Sequence, residues 1–137
     1  MIISVDFDGT LCMPNRYPAI HYNFNYLHLA RVLNIVQLLG HKVILNTCRE
    51  DHLLDIALDY CRDVLHLFPD EVNENCPNRI AEFGGDCRKI SADIYLDDKG
   101  VGYTPDKAMK MLYKIAYPKL YITDDISTYD GVIYYEP

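Results

Sequence analysis

With 137 residues, half of them apolar, the chain has the size of one domain and can form a core, which argues against intrinsic disorder. Twenty acidic residues against 13 basic ones give a formal charge of −7, which argues against a protein that coats nucleic acid or anionic membranes. We expect one domain over residues 1–137, with a core over about 1–117 and a β-rich tail over 118–137.

The first predicted element is a strand, because residues 2–5 (IISV) are apolar and rich in β-branched side chains. A loop with two prolines follows over residues 12–23. Apolar residues then recur at three- and four-residue spacing from Asn25 to Leu39, which predicts a helix that ends before Gly40. Residues 41–47 (HKVILNT) predict a second buried strand.

The second half of the chain continues this alternation. Residues 49–65 predict a helix whose apolar face comprises Leu53, Ile56, Ala57, Tyr60, Cys61 and Val64. A short extended piece is expected near 67–72, then mainly loop over 73–91 with a short helical turn around Ile80. ADIYL (92–96) predicts a strand, and Pro105 opens a helix through about Ile115. In the tail, KLYITD and GVIYYEP predict a hairpin or two edge strands.

Strands that alternate with helices predict an α/β domain with a mainly parallel sheet. In such sheets ligands bind beyond the carboxyl ends of the strands. Three predicted strands end in polar residues, which are Asp6 and Asp8, then Asn46, Thr47 and Arg49, then Asp97 and Asp98.

The four carboxylates would repel one another at that edge unless a cation lay among them. Oxygen ligands favour a hard cation, which makes Mg²⁺ the expected cofactor. Because Mg²⁺ usually takes only one or two carboxylates, one could act as a nucleophile and another as an acid or base. Gly9 permits a tight turn whose N–H groups can receive phosphate oxygens, Thr47 can donate to a phosphoryl oxygen, and Lys89 or Lys99 can offset charge.

DFDGTL (6–11) resembles the first motif of the haloacid dehalogenase superfamily, which consists mostly of Mg²⁺-dependent phosphatases that act through an aspartyl-phosphate. VILNT (43–47), RKISAD (88–93) and IYLDD (94–98) resemble its second, third and fourth motifs in the same order. The resemblance covers roughly residues 1–115. It implies a Rossmann-like core, a three-layer sandwich with a mainly parallel sheet.

The resemblance also implies roles for the carboxylates. Asp6 attacks phosphorus and ligates Mg²⁺. Asp8 protonates the leaving oxygen, then activates the hydrolytic water, and its backbone carbonyl ligates the metal. Asp98 ligates Mg²⁺ and Asp97 supports it from nearby, although which of the two touches the metal stays open.

Two further groups follow from the second and third motifs. Thr47 and the backbone N–H of Cys48 are expected to bind the phosphoryl group. Lys89 is expected to orient the nucleophile and the phosphate, because it precedes its strand as the family's lysine does, and Lys99 is its competitor.

Members of this superfamily often carry a cap domain, inserted after the first or the second motif. Neither interval leaves room for one here, so we predict a capless member with an open site. The loop MPNRYP leaves directly from the catalytic strand, so Asn15 and Arg16 could reach over the site. Arg49 could pair with a second anionic group of the substrate. With Gly9 and Cys48, these residues form the predicted substrate-binding set.

NRYP, NTCRE and ADIYLDDK resemble small capless phosphatases of bacteria and their phages, some grouped as sugar phosphatases. The main hypothesis is therefore a phosphatase, a phosphoric monoester hydrolase, that acts on a small phosphate ester such as a sugar phosphate. One alternative is a nucleotidase or polynucleotide-end phosphatase, although the negative charge argues against long nucleic acid. The other is a non-catalytic binding or regulatory module, which would usually lack Asp6 or Asp8.

The five cysteines show no CxxC spacing, which predicts free thiols in a reducing cytosol. No stretch approaches the roughly 20 apolar residues of a membrane span, and the N-terminus lacks the features of a signal peptide. A cytoplasmic protein without a membrane partner is expected. The tyrosine-rich tail leaves a homo-oligomer interface open.

Overall fold

A computed structural model describes residues 1–118 of the chain. The strands are β1 (Ile2–Val5), β2 (Lys42–Leu45), β3 (Glu71–Val72) and β4 (Ile94–Leu96). The helices are α1 (Phe24–Leu38), α2 (Asp51–Tyr60), α3 (Pro77–Phe83) and α4 (Pro105–Ala116), and a π-helical segment, Cys61–Leu65, continues α2. The predicted tail strands KLYITD and GVIYYEP lie outside the described residues.

The four strands form one parallel sheet in the order β3-β2-β1-β4. This confirms the predicted α/β class and the parallel sheet. Because β1 lies between β2 and β4, the polar ends of these three strands are neighbours at one edge. The pairing even extends past the strand ends, since Asp6 N donates to Leu96 O at 2.8 Å and Asn46 N donates to Val5 O at 2.9 Å.

Both faces of the sheet are covered, which explains why its strands are apolar runs rather than alternating patterns. On one face, Ile3 and Val5 belong to a core that includes buried residues of α1, α2 and α4. On the other face, Ile2 and Ile44 pack in a smaller cluster with Cys76 and Ile90.

The boundaries of α1 follow from its capping residues. Asn23 precedes the helix, and its side chain accepts a hydrogen bond from Asn25 N at 3.0 Å. Gly40 follows the helix with φ +95°, a conformation that favours glycine. The predicted helix is therefore confirmed, with each boundary shifted by one residue.

One prediction for the middle of the chain needs a correction, and another is confirmed. Ile56 was expected on the apolar face of α2, but it is 37% exposed, whereas Ala57, Tyr60 and Cys61 are buried. Ile56 lies about 100° around the helix from Ala57, so it falls at the margin of the stripe that α2 buries. Within residues 73–91, the helical turn expected around Ile80 is present as the seven-residue helix α3, which starts at Pro77.

All five cysteines lie within residues 1–118 and are free thiols, as predicted. Among the described helices, none has the length and apolar character needed to cross a bilayer.

Two leucines of α1 provide a test of the packing. Leu33 is fully buried, whereas Leu38 is 85% exposed. We expect Leu33→Ala to lower the free energy of unfolding by about 2–5 kcal/mol, because it leaves a cavity in the core. Leu38→Ala, the same change on the same helix, should stay within about 0.5 kcal/mol of the wild type in urea unfolding. Equal losses in the two variants would contradict this placement of α1.

Candidate active site

Three carboxylates meet at the carboxyl edge of the sheet. Asp6 follows β1, and Asp97 and Asp98 follow the adjacent strand β4. One oxygen from each lies within 4.8 Å of the others, and all three residues are partly buried. We call these residues the carboxylate triad. The predicted convergence of Asp6 with Asp97 and Asp98 is therefore present in the structure.

A tight turn after Phe7 fixes this triad. Thr10 N and Leu11 N both donate to Phe7 O, at 3.1 and 2.9 Å. The buried Thr10 hydroxyl accepts a hydrogen bond from Asp98 N at 3.1 Å and lies 3.5 Å from Asp6 Oδ2. Thr10 thus links the end of β1 to the end of β4, a role that the sequence alone did not reveal.

Gly9 is required in this turn for two reasons. Its φ is +87°, and a Cβ at this position would lie 2.2 Å from Asp98 Oδ2. The Asp98 carboxylate therefore packs directly against the glycine backbone. Gly9 was predicted to bind substrate through its backbone, and the structure additionally places it against the triad.

The surroundings of the triad disfavour a negative charge on Asp6. Burial, a hydrogen bond with Asp98 and the charge of Asp97 raise the pKa of Asp6 from 3.8 to about 7. Asp98 Oδ1 is buried and has no hydrogen-bond partner among the described residues. An orphaned carboxylate oxygen among other carboxylates fits a hard cation such as Mg²⁺. Asp6, Asp97 and Asp98 are the residues that could hold it.

Asp8 lies outside the triad, since its carboxylate is paired with Arg49. Arg49 Nε donates to Asp8 Oδ2 at 2.8 Å and Arg49 Nη2 donates to Asp8 Oδ1 at 2.7 Å, a two-pronged ion pair. The hydrogen bonds to Asp8 raise the pKa of Arg49 above its already high ordinary value. The Arg49 side chain is buried, and its Nη1 makes no hydrogen bond to any described residue. Its predicted binding of a second anionic group of the substrate stays a prediction.

The predicted phosphate-binding segment follows β2. Thr47 is partly buried, and its hydroxyl accepts a hydrogen bond from Arg49 N at 3.1 Å. Thr47 N donates to the Asn73 side chain at 2.7 Å. Sequence reasoning missed Asn73, although its position directly after the short strand β3 was an available signal. Cys48 is exposed and its thiol is free.

Among the described residues, no side chain of the remaining predicted set forms a hydrogen bond or ion pair with the triad. The ammonium of the exposed Lys89 lies over the Tyr95 ring, 5.8 Å from its centroid. Lys99 contributes only its backbone N, which donates to Asp97 Oδ1 at 2.9 Å. Asn15 and Arg16 are exposed, and Arg16 Nη1 donates to the carbonyl of Asn15 at 3.4 Å. Their roles in substrate binding stay predictions.

A cavity of about 410 Å³ borders the turn, between the N-terminal parts of α1 and α4. Gly9 and Thr10 contribute to its wall, together with Tyr26 and Tyr103. Burial raises the pKa of both tyrosines, so their hydroxyls stay protonated around neutral pH. A cavity of this volume can accept a small organic molecule.

The raised pKa of Asp6 predicts a pH-dependent stability in EDTA. Between about pH 4 and 7 the folded state keeps a proton that the unfolded chain has lost, so this residue's contribution falls as the pH rises and levels off above 7. The free energy of unfolding of the wild type minus that of Asp6→Asn should fall across this window. Mg²⁺ should reverse the fall, and a pH-independent difference in EDTA would contradict the prediction.

No family model and no curated protein matches the chain. A solved structure, described as that of a conserved protein coded by a locus of Bacteroides thetaiotaomicron, is 35% identical in sequence. The match covers 84% of this chain and 88% of the Bacteroides chain, with a TM-score of 0.68.

Proposed function

We propose that this chain, which belongs to the same family as the conserved Bacteroides thetaiotaomicron protein, is a Mg²⁺-dependent phosphomonoesterase of the haloacid dehalogenase type. The observation that carries the proposal is the carboxylate triad, in which Asp98 Oδ1 is buried without a hydrogen-bond partner among the described residues and the pKa of Asp6 is raised to about 7. Asp8 and Thr47, at the ends of neighbouring strands, complete the set of groups that phosphoryl transfer needs.

In the proposed reaction, an oxygen of Asp6 attacks phosphorus and forms an aspartyl-phosphate while the bond to the leaving oxygen breaks. Asp8 gives its proton to that oxygen, then accepts one from the water that hydrolyses the intermediate. When bound, Mg²⁺ supplies positive charge that offsets the carboxylates and the phosphoryl oxygens. The Thr47 hydroxyl and the backbone N–H of Cys48 donate to the phosphoryl group.

The proposal leaves Lys89 with the role of orienting nucleophile and phosphate. Its ammonium lies over the exposed ring of Tyr95, a contact that is weak at a solvent-exposed site. The long lysine side chain would leave this ring to reach a phosphate between Asp6 and Thr47. Lys89→Ala should therefore lower activity without lowering stability.

An open site supports the proposed capless type. Between β1 and β2 lie one loop and α1, and residues 48–88 contain only α2, the π-helical segment, β3 and α3 with their connections. All of these elements contribute to the sheet or to its two packed clusters, or connect them, so neither interval holds an inserted domain. The cavity beside Gly9 would accept the organic part of a small ester, such as a sugar phosphate.

A phosphate-release assay tests the proposal. Sugar phosphates, nucleotides and oligonucleotides with a 3′- or 5′-phosphate are incubated with the protein in Mg²⁺ or in EDTA. We expect Mg²⁺-dependent release, largest for a small ester. Steep loss of turnover with salt on an oligonucleotide phosphate, and none on a sugar phosphate, would favour the polynucleotide-end alternative. Mg²⁺ binding without turnover of any ester would instead identify a non-catalytic module.

A further inference from the structure

We propose that Arg49 is a positioning residue for Asp8, and that Tyr17 on the loop after β1 holds Arg49 in place. The inference rests on the proposed phosphatase reaction, because it assigns a role within it. Arg49 would not touch the substrate. It would orient the Asp8 carboxylate, which protonates the leaving oxygen.

The geometry of the pair supports this role. Two parallel N–H···O bonds of 2.8 and 2.7 Å fix both the distance and the plane of the Asp8 carboxylate. The Arg49 side chain is 1% exposed, whereas that of Asp8 is 32% exposed. The arginine is therefore the enclosed partner, whereas part of the Asp8 side chain stays accessible to a substrate.

The guanidinium is itself held from several directions. Its central carbon lies 5.0 Å from the centroid of the Phe7 ring and 5.1 Å from that of the Tyr17 ring. Arg49 Nη2 also donates to Pro18 O at 3.2 Å. Such contacts allow little freedom to the guanidinium group, and they tie the loop over residues 13–22 to the catalytic turn.

Stability alone explains this pair poorly. Burying a guanidinium carries a large desolvation cost, which apolar side chains of similar volume would avoid. Arg49 Nη1 is in addition buried and makes no hydrogen bond to any described residue. A buried, incompletely satisfied cation two residues from the phosphate-binding Thr47 is better explained by its effect on Asp8.

The consequence depends on the leaving group. For this step Asp8 must carry a proton, which weakens one of its two hydrogen bonds from Arg49. As the bond between phosphorus and the leaving oxygen breaks, that proton moves to the leaving oxygen, where the electron pair of the broken bond receives it. A strongly basic leaving oxygen needs this proton, whereas 4-nitrophenolate departs almost without it. If the Asp8 carboxylate loses its orientation, hydrolysis should therefore slow most for the esters whose leaving groups are most basic.

The test uses a series of para-substituted phenyl phosphates, from phenyl to 4-nitrophenyl, which differ mainly in leaving-group basicity. We compare the wild type, Arg49→Lys, Arg49→Gln, Asp8→Asn and the double variant Asp8→Asn/Arg49→Gln. Arg49→Gln should lower kcat/KM by roughly 10²-fold for phenyl phosphate and only a few-fold for 4-nitrophenyl phosphate. Arg49→Lys should restore part of the loss, since lysine keeps the charge but not the two-pronged geometry.

Because Arg49 acts through Asp8, the double variant should be no slower than Asp8→Asn alone. Tyr17→Ala should make kcat/KM more dependent on leaving-group basicity, as Arg49→Gln does, but to a smaller extent. Arg62→Gln is the matched control, because Arg62 makes a similar two-pronged pair with Asp63 on the exposed surface. Arg62→Gln should leave kcat/KM unchanged for every phenyl phosphate of the series.

Circular dichroism and thermal unfolding identify any variant that fails to fold, in which case Arg49→Lys and Tyr17→Ala carry the test. A uniform loss across the series, or losses that multiply in the double variant, would overturn the positioning role while leaving the phosphatase intact. A wild-type protein that releases no phosphate from any ester with Mg²⁺ would instead overturn the proposed function.

Discussion

Asp6→Asn is expected to lower kcat for phosphate release by about 10⁴-fold or more, because an amide cannot replace the carboxylate as nucleophile. The stability of the folded protein should not fall. Burial and the carboxylates of Asp98 and Asp97 disfavour a charge on Asp6, so above about pH 7, where Asp6 is ionised, a neutral side chain of the same shape relieves repulsion in EDTA. Activity and stability should thus change in opposite directions. Steady-state phosphate release and thermal unfolding in EDTA measure the two effects.

Asp55→Asn is the control for this prediction. Asp55 lies on α2 and is exposed, so the same exchange should leave both turnover and stability near the wild type. Mg²⁺ should stabilise the Asp55 variant as it does the wild type, but should stabilise Asp6→Asn less. Turnover by Asp6→Asn close to that of the wild type would remove Asp6 from the role of nucleophile.

The sequence was sufficient to predict the scaffold of the site. IISV and VILNT are apolar runs that end in polar residues, and parallel pairing brings such ends to one edge. This rule predicted that four carboxylates converge, and the structure groups three of them, Asp6, Asp97 and Asp98, because β1 and β4 are neighbours. Local patterns also set α1 and α4, whose capping residues are Asn23 and Thr104.

Contacts between segments that are distant in the chain could not be predicted from the sequence. Arg49 was expected to pair with a second anionic group of the substrate, and its ion pair with Asp8 was not foreseen. Its burial depends on the fit of a guanidinium between Phe7 and Tyr17, and on Asp8, 41 residues earlier in the chain. The anchoring of Thr47 N by Asn73 is similar, since it requires the short strand β3 to lie beside β2. Neither contact leaves a periodic pattern in the chain.

These contacts change how the motifs are interpreted. Asp6 and Asp8 are two residues apart and would seem to serve one metal site. In the structure they face different partners, since Asp6 belongs to the triad whereas Asp8 is bound by Arg49. Strand β1 ends at Val5, so Asp6 and Asp8 do not share a face as residues two apart would within a strand. Gly9 then turns the chain back against Asp98, which makes this glycine the next residue to test.

Gly9→Ala should lower kcat/KM by roughly 10²-fold and weaken activation by Mg²⁺. A methyl group at this position would lie 2.2 Å from Asp98 Oδ2, so the carboxylate must move by an ångström or more, and displacements of this size can cost about 10²-fold in rate. The positive φ of +87° adds backbone strain of about 1–2 kcal/mol, which lowers stability as well. Mg²⁺ titrations of activity and of thermal unfolding would measure both effects.

Gly40→Ala separates the steric effect from the strain. Gly40 has a similar φ of +95°, but nothing lies within 4 Å of where its Cβ would be. Both variants should therefore lose about the same 1–2 kcal/mol of stability in EDTA from strain, with a further loss for Gly9→Ala alone. Only Gly9→Ala should need more Mg²⁺ for half-maximal activity. If Gly40→Ala weakened activation by Mg²⁺ equally, backbone strain rather than displacement of Asp98 would explain the lower activity. The close approach of Gly9 to Asp98 would then play no part in activity.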